Sequence, residues 1–361
     1  MKRIAFVINY IVNNGPSNVI LNIIDNLSRK EFEITVITLF NKNDPDIINS
    51  LRAKGIKVRE CKTINLPASM FGIAGEFYKT INESSFDIIH THGVIPDILS
   101  AKLKNGIKKI STIHCNFYED YINLYGITAG WFLVTLQVKA LKKMDRVICC
   151  SQSVCDALKK IDPGNFGCIR NGIEKPCTHS VLTRKEIGVP DDARVYVFTG
   201  RLVKGKRIKE TVQQFVACHT EKEYLLILGS GPEEEICRKT ADPHVRFCGF
   251  QNDPIQFMNQ SDIYISGSKS EGFSLAVLEA LFCGLKLFLS DIPSHREIVA
   301  MNKENDLGLL FSEGNFSTQI EKIREMPFDK NKVMAFAESQ LSASRMATEY
   351  RDEYLKMIHG N

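Results

Sequence analysis

The chain has 361 residues, 44% of them apolar and 24% charged, with a formal net charge of +4. That is the composition of an ordinary globular protein, and the length suits two domains better than one core. No run reaches the roughly 18 charge-free apolar residues of a spanning helix, and Met1-Lys2-Arg3 leads into an apolar run that soon meets Asn9, Asn13 and Asn14, so neither a membrane span nor a signal peptide is expected.

In chain order, the first half predicts strands at Ile4–Tyr10, Ile34–Leu39, Asp87–His90, Ile110–His114 and Arg146–Ser151. Helical segments fall between them near Val19–Leu27, Phe71–Ile81, Asp97–Lys104 and Ala129–Lys143. Turn formers crowd residues 162–180 and mark a linker near 165–180. The alternation then restarts, with strands near Val195–Thr199, Leu225–Leu228, Val245–Phe247, Ile263–Ser266 and Lys286–Ser290. Helices are predicted near Ile208–His219, Glu233–Lys239, Leu275–Phe282 and His295–Met301, and the stretch Lys332–His359 is helical and polar on one side. Near-continuous apolar strands alternating with helices indicate parallel sheets covered on both faces. The fold class is therefore α/β: two consecutive doubly wound parallel-sheet domains, expected to face each other across a cleft. In such sheets ligands bind beyond the carboxyl ends of the strands, so the loops after strands are where chemistry is sought.

Charge is unevenly spread. Residues 1–170 hold 22 Lys/Arg against 15 Asp/Glu, a surplus of +7, whereas residues 171–361 hold 24 against 27, or −3. A basic first half suits an anionic partner, although a solvated face fits the charge as well. The 11 cysteines are odd in number and lack any C-x-x-C pair, which excludes a zinc ribbon and argues for reduced thiols in a cytosolic protein.

The most informative stretch is residues 270–284, SEGFSLAVLEALFCG, which follows the strand ending at Ser266. Ser274 is a suitable cap for the helix that starts at Leu275, and a helix start offers N–H donors and partial positive charge to a phosphate. Gly272 lets the backbone approach such a ligand. Glu271 sits in the loop and Glu279 just over one turn into the helix. Two acids beside a phosphate-binding helix start make sense if the ligand also carries hydroxyls, because a carboxylate accepts O–H bonds well. A phosphate with two polyol parts describes a nucleotide sugar. In residues 199–208, TGRLVKGKRI, Arg201 and Lys206 can both reach a diphosphate, which gains negative charge as it leaves. Lys204 and Arg207 read as solvated neighbours.

In the first domain, residues 13–19, NNGPSNV, form a glycine-containing turn before a helix, with Ser17 or Asn18 as cap and Asn14 and Gly15 as an acceptor or phosphate loop. The G-x-G-x-x-G dinucleotide fingerprint is absent. His114 ends a strand and is a candidate for catalysis or sugar contact. His90 and His92 lie at another strand end, but H-x-H without a nearby acid cluster is a poor metal site, and no metal is expected.

Together these motifs resemble the retaining GT-B glycosyltransferases of group 1 (family four). Glu271 and Glu279 look like the E-x7-E signature, residues 200–206 (GRLVKGK) like the Arg…Lys diphosphate motif, His114 like the catalytic-domain His, and residues 149–154 (CCSQSV) and 170–174 (RNGIE) like the inter-domain segments. The resemblance implies Rossmann-like domains: residues 1–168 on the acceptor side, residues 169–340 holding the donor, and residues 341–361 as a helix returning to the first domain. It also implies that Glu271 contacts the donor sugar and Glu279 the ribose. Arg201 and Lys206 would hold the diphosphate, helped by backbone at Gly272, Phe273, Ser274 and Leu275, with His114 beside the sugar and acceptor. No cofactor or metal is implied beyond the nucleotide-sugar substrate. Three departures stand out: Asn14-Gly15-Pro16 replaces Gly-Gly, Ser274 replaces a common Gly, and Arg207 stands where a Gly usually follows the Lys.

On the acceptor side, residues 129–145 mix apolar residues, including Trp131 and Phe132, with Lys139, Lys142 and Lys143, and residues 67–77 are also apolar. A basic amphipathic helix can lie on an anionic membrane. The expectation is a UDP-sugar donor, a lipid-linked saccharide acceptor, peripheral attachment to the inner face of the cytoplasmic membrane, no nucleic acid, and a step in making O-antigen or capsule. The alternatives are a GT-B nucleotide-sugar epimerase and a dinucleotide-dependent oxidoreductase.

Overall fold

A computed structural model describes residues 1–61, 69–103, 106–162, 164, 166–177, 182–302 and 307–360. Residues 67 and 68 of the apolar stretch, Lys104 of a predicted helix, and residues 163, 165 and 178–180 of the turn-rich segment lie outside the described residues. The chain divides into two compact units: Met1–Gly172 with Ala343–Asn361, and Ile173–Ser342.

The first unit holds seven parallel strands, β1 (Lys2–Ile8), β2 (Phe32–Thr38), β3 (Lys57–Glu60), β4 (Ile88–His92), β5 (Lys108–Ile113), β6 (Arg146–Cys149) and β7 (Phe166–Cys168), in the order β3-β2-β1-β4-β5-β6-β7. The direction of winding reverses between β1 and β4, so this is where the sheet opens a crevice at its carboxyl edge. Residues Ile4–Ile8 of β1 are all buried, as a central parallel strand covered on both faces requires. The helix Gly15–Asn26 after β1 buries Val19, Ile20, Ile23 and Ile24, one face at helical spacing. Its cap is Asn14, whose Oδ1 accepts from the Ser17 N–H at 3.0 Å, rather than Ser17 or Asn18; the Ser17 hydroxyl instead accepts from Val12 N–H.

The second unit holds six parallel strands, β8 (Arg194–Thr199), β9 (Glu223–Leu228), β10 (Val245–Gly249), β11 (Ile263–Ser266), β12 (Lys286–Ser290) and β13 (Gly308–Phe311), in the order β10-β9-β8-β11-β12-β13. Its switch point lies between β8 and β11. On the other side of β8 the loops are in close contact: a Cβ on Gly229 would sit 1.9 Å from the Gly200 carbonyl oxygen, so the chain after β9 passes against the chain after β8 only as glycine.

The helix Ala343–His359 belongs to the first unit and is tied to its sheet by buried hydroxyls. Tyr354 Oη bonds His90 Nδ1 at 2.7 Å, Tyr350 Oη bonds Thr112 Oγ1 at 2.8 Å, and His90 Nε2 meets the same Thr112 Oγ1 at 2.7 Å. His90 is thereby a fully partnered core residue. The predicted continuous helix Lys332–His359 is two, Lys330–Gln340 and Ala343–His359. The predicted helix Ala129–Lys143 is the second part of Phe117–Leu141, whose run breaks at Gly126 (φ 79°, ψ 172°). None of the eleven cysteines forms a disulfide among the described residues.

Candidate functional site

In the second unit, β8 leads through Gly200 and Arg201 into a tight turn at Lys204–Lys206, and β11 leads into Gly267–Glu271 before the helix Leu275–Phe282. The two loops meet at one ion pair. Lys206 Nζ donates to Glu271 Oε1, and the Ser268 hydroxyl donates to the same oxygen at 2.7 Å. Ser268 is held in turn by the Ser290 hydroxyl, which donates to its carbonyl at 2.6 Å, and His295 Nδ1 lies 2.9 Å from the Ser290 carbonyl. A carbonyl only accepts, so Nδ1 of His295 carries the proton and its Nε2 is a bare lone pair, buried and without a partner among the described residues.

Electrostatics separates the two acids. Burial pushes the Glu271 carboxyl up, but the Lys206 charge and hydrogen bond, with Ser268, outweigh it and hold it below the usual range. Glu279 has no such support: burial alone raises it to about 7, and no hydrogen bond or ion pair reaches its side chain among the described residues. Buried Tyr264 lies close to both; its hydroxyl is pushed well above its usual value by burial and then by the charges of Glu271 and Glu279. One apolar wall therefore carries one ionised and one easily protonated carboxyl. Burial also lowers His295, which the sequence reading passed over because a His inside a predicted helix gives no signal of its partners.

The remaining donor residues fall as follows. Arg201 is exposed and has no ion-pair partner among the described residues. Phe273 is buried, so any part it takes in binding is through its backbone. Ser274 occupies the cap position before Leu275, but its hydroxyl makes no capping hydrogen bond, contrary to the sequence expectation. Its extended backbone (φ −67°, ψ 117°) starts the helix without help from the side chain. Arg207, read as solvated, is instead held. It adopts a left-handed conformation (φ 52°, ψ 41°) and pairs with Glu313. A glycine suits this position because the backbone there needs positive φ. A cavity of about 420 Å³ lies beside this pair, lined by Ser268, Lys269, Asp291 and Glu313 but by neither Glu271 nor Glu279.

In the first unit, a cavity of about 200 Å³ lies beyond the carboxyl ends of β1, β4 and β5. Asn14, His92 and His114 line it, whereas Gly15 does not. His114 Nε2 and His92 Nδ1 are 2.8 Å apart. Burial lowers His114 to about 4 and holds His92 well below its usual value, so both rings are neutral at pH 7. Among the described residues no three His, Cys, Asp or Glu side chains stand together as metal ligands.

The sequence pointed to one further feature of this unit only in part, at Trp131 and Phe132. Leu124, Tyr125, Ile127, Trp131 and Phe132 are all exposed around the break at Gly126, Leu124 by 72% and Ile127 by 70%. The stretch Leu124–Leu141 is long and apolar enough to cross a membrane by length and composition, and a search for unbroken apolar runs misses it because Thr128, Thr135 and Gln137 interrupt it.

Residues 182–340 match the family Glycosyl transferases group 1, and residues 13–175 match Glycosyltransferase Family 4. The chain is 27% identical to the O-antigen biosynthesis glycosyltransferase WclY of Escherichia coli over 98% of each chain. It is 23% identical to the UDP-Gal:alpha-D-GlcNAc-diphosphoundecaprenol alpha-1,3-galactosyltransferase of Escherichia coli, over 79% of this chain and 78% of that one. Among solved structures, Anabaena HepE in complex with UDP and glucose superposes with a TM-score of 0.77 at 16% identity, covering 99% of this chain and all of that one. At that identity the likeness is one of fold.

Proposed function

This chain belongs to the GT-B glycosyltransferases of group 1, and we propose that it transfers a hexose or N-acetylhexosamine, with retention, from a UDP-sugar to a lipid-linked saccharide in the making of O-antigen or capsule. The observation that carries the donor half is the convergence of Lys206, Ser268 and Glu271 at the switch point of the second sheet, with Glu279 on the adjoining helix. The relatives, named for O-antigen synthesis and for a diphosphoundecaprenol acceptor, support the rest.

In this reading the diphosphate competes with Glu271 for the Lys206 ammonium, and exposed Arg201 adds a second cation. Their charge stabilises the departing nucleoside diphosphate, the largest effect available without a nucleophile. Glu271, freed from Lys206, accepts from donor-sugar hydroxyls while Ser268 keeps it oriented. Glu279 accepts from the ribose. Departure and attack occur on the same face of the sugar, and the departing phosphate takes the proton of the acceptor hydroxyl. His114 lies on the acceptor side as a neutral hydrogen-bonding group. No cofactor or metal takes part in this scheme. The exposed apolar residues around Gly126, with Lys139 and Lys143 further along the same segment, hold the protein peripherally on the inner face of the cytoplasmic membrane, where a lipid-linked acceptor resides.

The first test is a thermal-shift panel of UDP, GDP, ADP, their sugars and NAD, with Lys206→Ala and Glu271→Ala alongside, repeated in EDTA. A shift with UDP and one UDP-sugar, unchanged by EDTA and abolished by Lys206→Ala, supports the reading. A shift with NAD alone would overturn it.

A further inference from the structure

The run Phe117–Leu141 folds back on itself at Gly126. Along one straight helix Tyr121 and Gln137 would stand about 24 Å apart, yet the Tyr121 hydroxyl donates to Gln137 Oε1 at 2.7 Å. The rings of Tyr118 and Trp131 meet edge-on at 5.2 Å. A Cβ on Gly130 would lie 2.8 Å from the Tyr121 carbonyl oxygen and the Ile122 backbone, so the two arms come this close only at a glycine. The run is therefore a helical hairpin. Its tip carries the exposed Leu124, Tyr125, Ile127, Trp131 and Phe132, while Val134, Gln137, Ala140 and Leu141 of the second arm are buried. That arm, residues 127–141, is about 22 Å long, short of the roughly 30 Å of a bilayer core. With its far half buried in the first unit, the tip can enter a lipid surface but the arm cannot span one.

The root of the hairpin is held by a buried carboxylate that takes no part in the scheme above. Asp97 is fully buried; burial pushes its carboxyl up to about 6 against three hydrogen bonds that lower it, so it is ionised at pH 7. It accepts from the Thr91 hydroxyl at 2.5 Å, the Ser111 hydroxyl at 2.8 Å and Gln137 Nε2 at 2.8 Å. A carboxylate only accepts, so the Gln137 amide must turn its NH2 to Asp97 and its Oε1 to Tyr121, and the Tyr121 hydroxyl must donate. Burying a charge costs several kcal/mol unless its partners are in place, and apolar residues at these positions would close the two arms without that cost. What the charge adds is direction, because only one register of the arms satisfies it. Phe117, Tyr121 and Gln137 also line the 200 Å³ cavity beyond the carboxyl ends of β1, β4 and β5. The arms whose tip is exposed are thus the arms that wall the crevice.

We propose that Gln137 is a positioning residue that makes the exposed tip and the crevice wall one rigid piece, so that seating the tip in a lipid surface fixes the wall formed by Phe117 and Tyr121. The inference rests on the membrane attachment proposed above and goes beyond it. Attachment needs only the exposed apolar side chains, whereas positioning needs the chain of bonds from Tyr121 through Gln137 to Asp97. The wall is then held from both ends, by Asp97 at the root and by lipid at the tip.

The test uses the full chain with mixed phosphatidylethanolamine–phosphatidylglycerol vesicles and needs no substrate. Trp131 is the only tryptophan of the chain, so its emission reports the tip: a blue shift, with quenching by acyl-brominated lipid, marks entry. Amide hydrogen exchange read by mass spectrometry follows residues 113–121 as the wall. In the wild type, vesicles should slow exchange of the wall by about 5-fold or more, the worth of one hydrogen bond. In Gln137→Leu the tip should enter as before, but the wall should exchange at the same rate with and without vesicles. A residue that only held the fold together would raise exchange equally in both conditions and leave the vesicle effect intact; that outcome would overturn the proposal. Tyr121→Phe, which removes a single hydroxyl and disturbs folding least, should behave as Gln137→Leu does. Entry of the tip with no change at the wall of the wild type overturns the proposal and leaves attachment standing. Absence of any Trp131 response overturns both. A blue shift without vesicles that grows with protein concentration would assign the tip to a second copy of the chain, and overturns the proposal as well.

Discussion

Lys206 and Glu271, 65 residues apart, form an ion pair at the switch point of the second sheet, and Ser268 donates to the same carboxylate oxygen. Lys206 is 29% and Glu271 13% exposed, so the pair is largely shielded and removing one partner strands the other. Glu271 has its pKa lowered in the fold, so it contributes stability above its unfolded pKa that is lost as pH falls through the folded one. Lys206→Ala removes the charge that lowers it. The expected cost is about 2 kcal/mol at pH 8, and it shrinks only as the pH falls through the lowered folded pKa and the carboxylate of the ion pair is itself protonated. Lys206→Ala/Glu271→Gln should recover most of that loss in a denaturant titration while leaving UDP binding abolished.

Glu279 behaves in the opposite sense. Burial raises its pKa to about 7, so the folded state favours the protonated form, and that preference is lost as pH rises through 7. Glu279→Gln should therefore stabilise the protein by about 2 kcal/mol at pH 8 and by little at pH 4. If the ribose donates to the carboxylate, binding favours the ionised form, and UDP affinity should rise from pH 6 to a plateau above 7. Calorimetric titration across that range checks it; a flat profile would show that the ribose does not use this group.

Arg207 occupies a left-handed conformation that costs a non-glycine residue about 1 kcal/mol, offset by its bond to Glu313. Arg207→Gly should change stability by less than about 1 kcal/mol, because relief of strain and loss of the ion pair oppose each other. Arg207→Val keeps the strain, loses the pair and adds a branched side chain, and should cost about 2 kcal/mol. The midpoint of thermal unfolding for the two variants distinguishes these.

These positions show what the sequence could convey. The helix Leu275–Phe282 is found at its predicted bounds, because an apolar run behind a Gly-Phe-Ser turn admits one reading. The buried strands were legible from their continuous apolar runs. β3, β7 and β13 were not: β3 alternates exposed and half-exposed residues at the sheet edge, β7 is three residues inside the turn-rich segment read as a linker, and β13 is only four residues long. The acids Glu271 and Glu279 were visible by spacing, but not the difference in their ionisation, which depends on a lysine from another loop. The His92–His114 contact was hidden for the same reason, since its two strands are neighbours only in the folded sheet.

The same long-range logic governs the last helix. Tyr354→Phe removes the hydroxyl that meets His90 and leaves a buried ring nitrogen unpaired, which should cost about 2 kcal/mol. Tyr354→Leu should cost more by losing the edge-on contact with Phe32.

The apolar residues around Gly126 give the sharpest test of membrane attachment. Leu124, Ile127 and Phe132 are 72%, 70% and 64% exposed, so replacing all three with Ser removes little packing and should leave the unfolding midpoint nearly unchanged. Each side chain would contribute about 1–2 kcal/mol of transfer energy on entering a bilayer surface, so the triple variant should lose more than about 30-fold in partition to vesicles. Lys139→Gln/Lys143→Gln should weaken binding only to anionic vesicles and only at low salt, because that attraction is screened within about 10 Å at 0.1 M salt. Flotation with neutral and anionic vesicles separates the two contributions. An unchanged float fraction for the triple variant would mean that the exposed apolar side chains serve another partner, and that the membrane is met elsewhere or not at all.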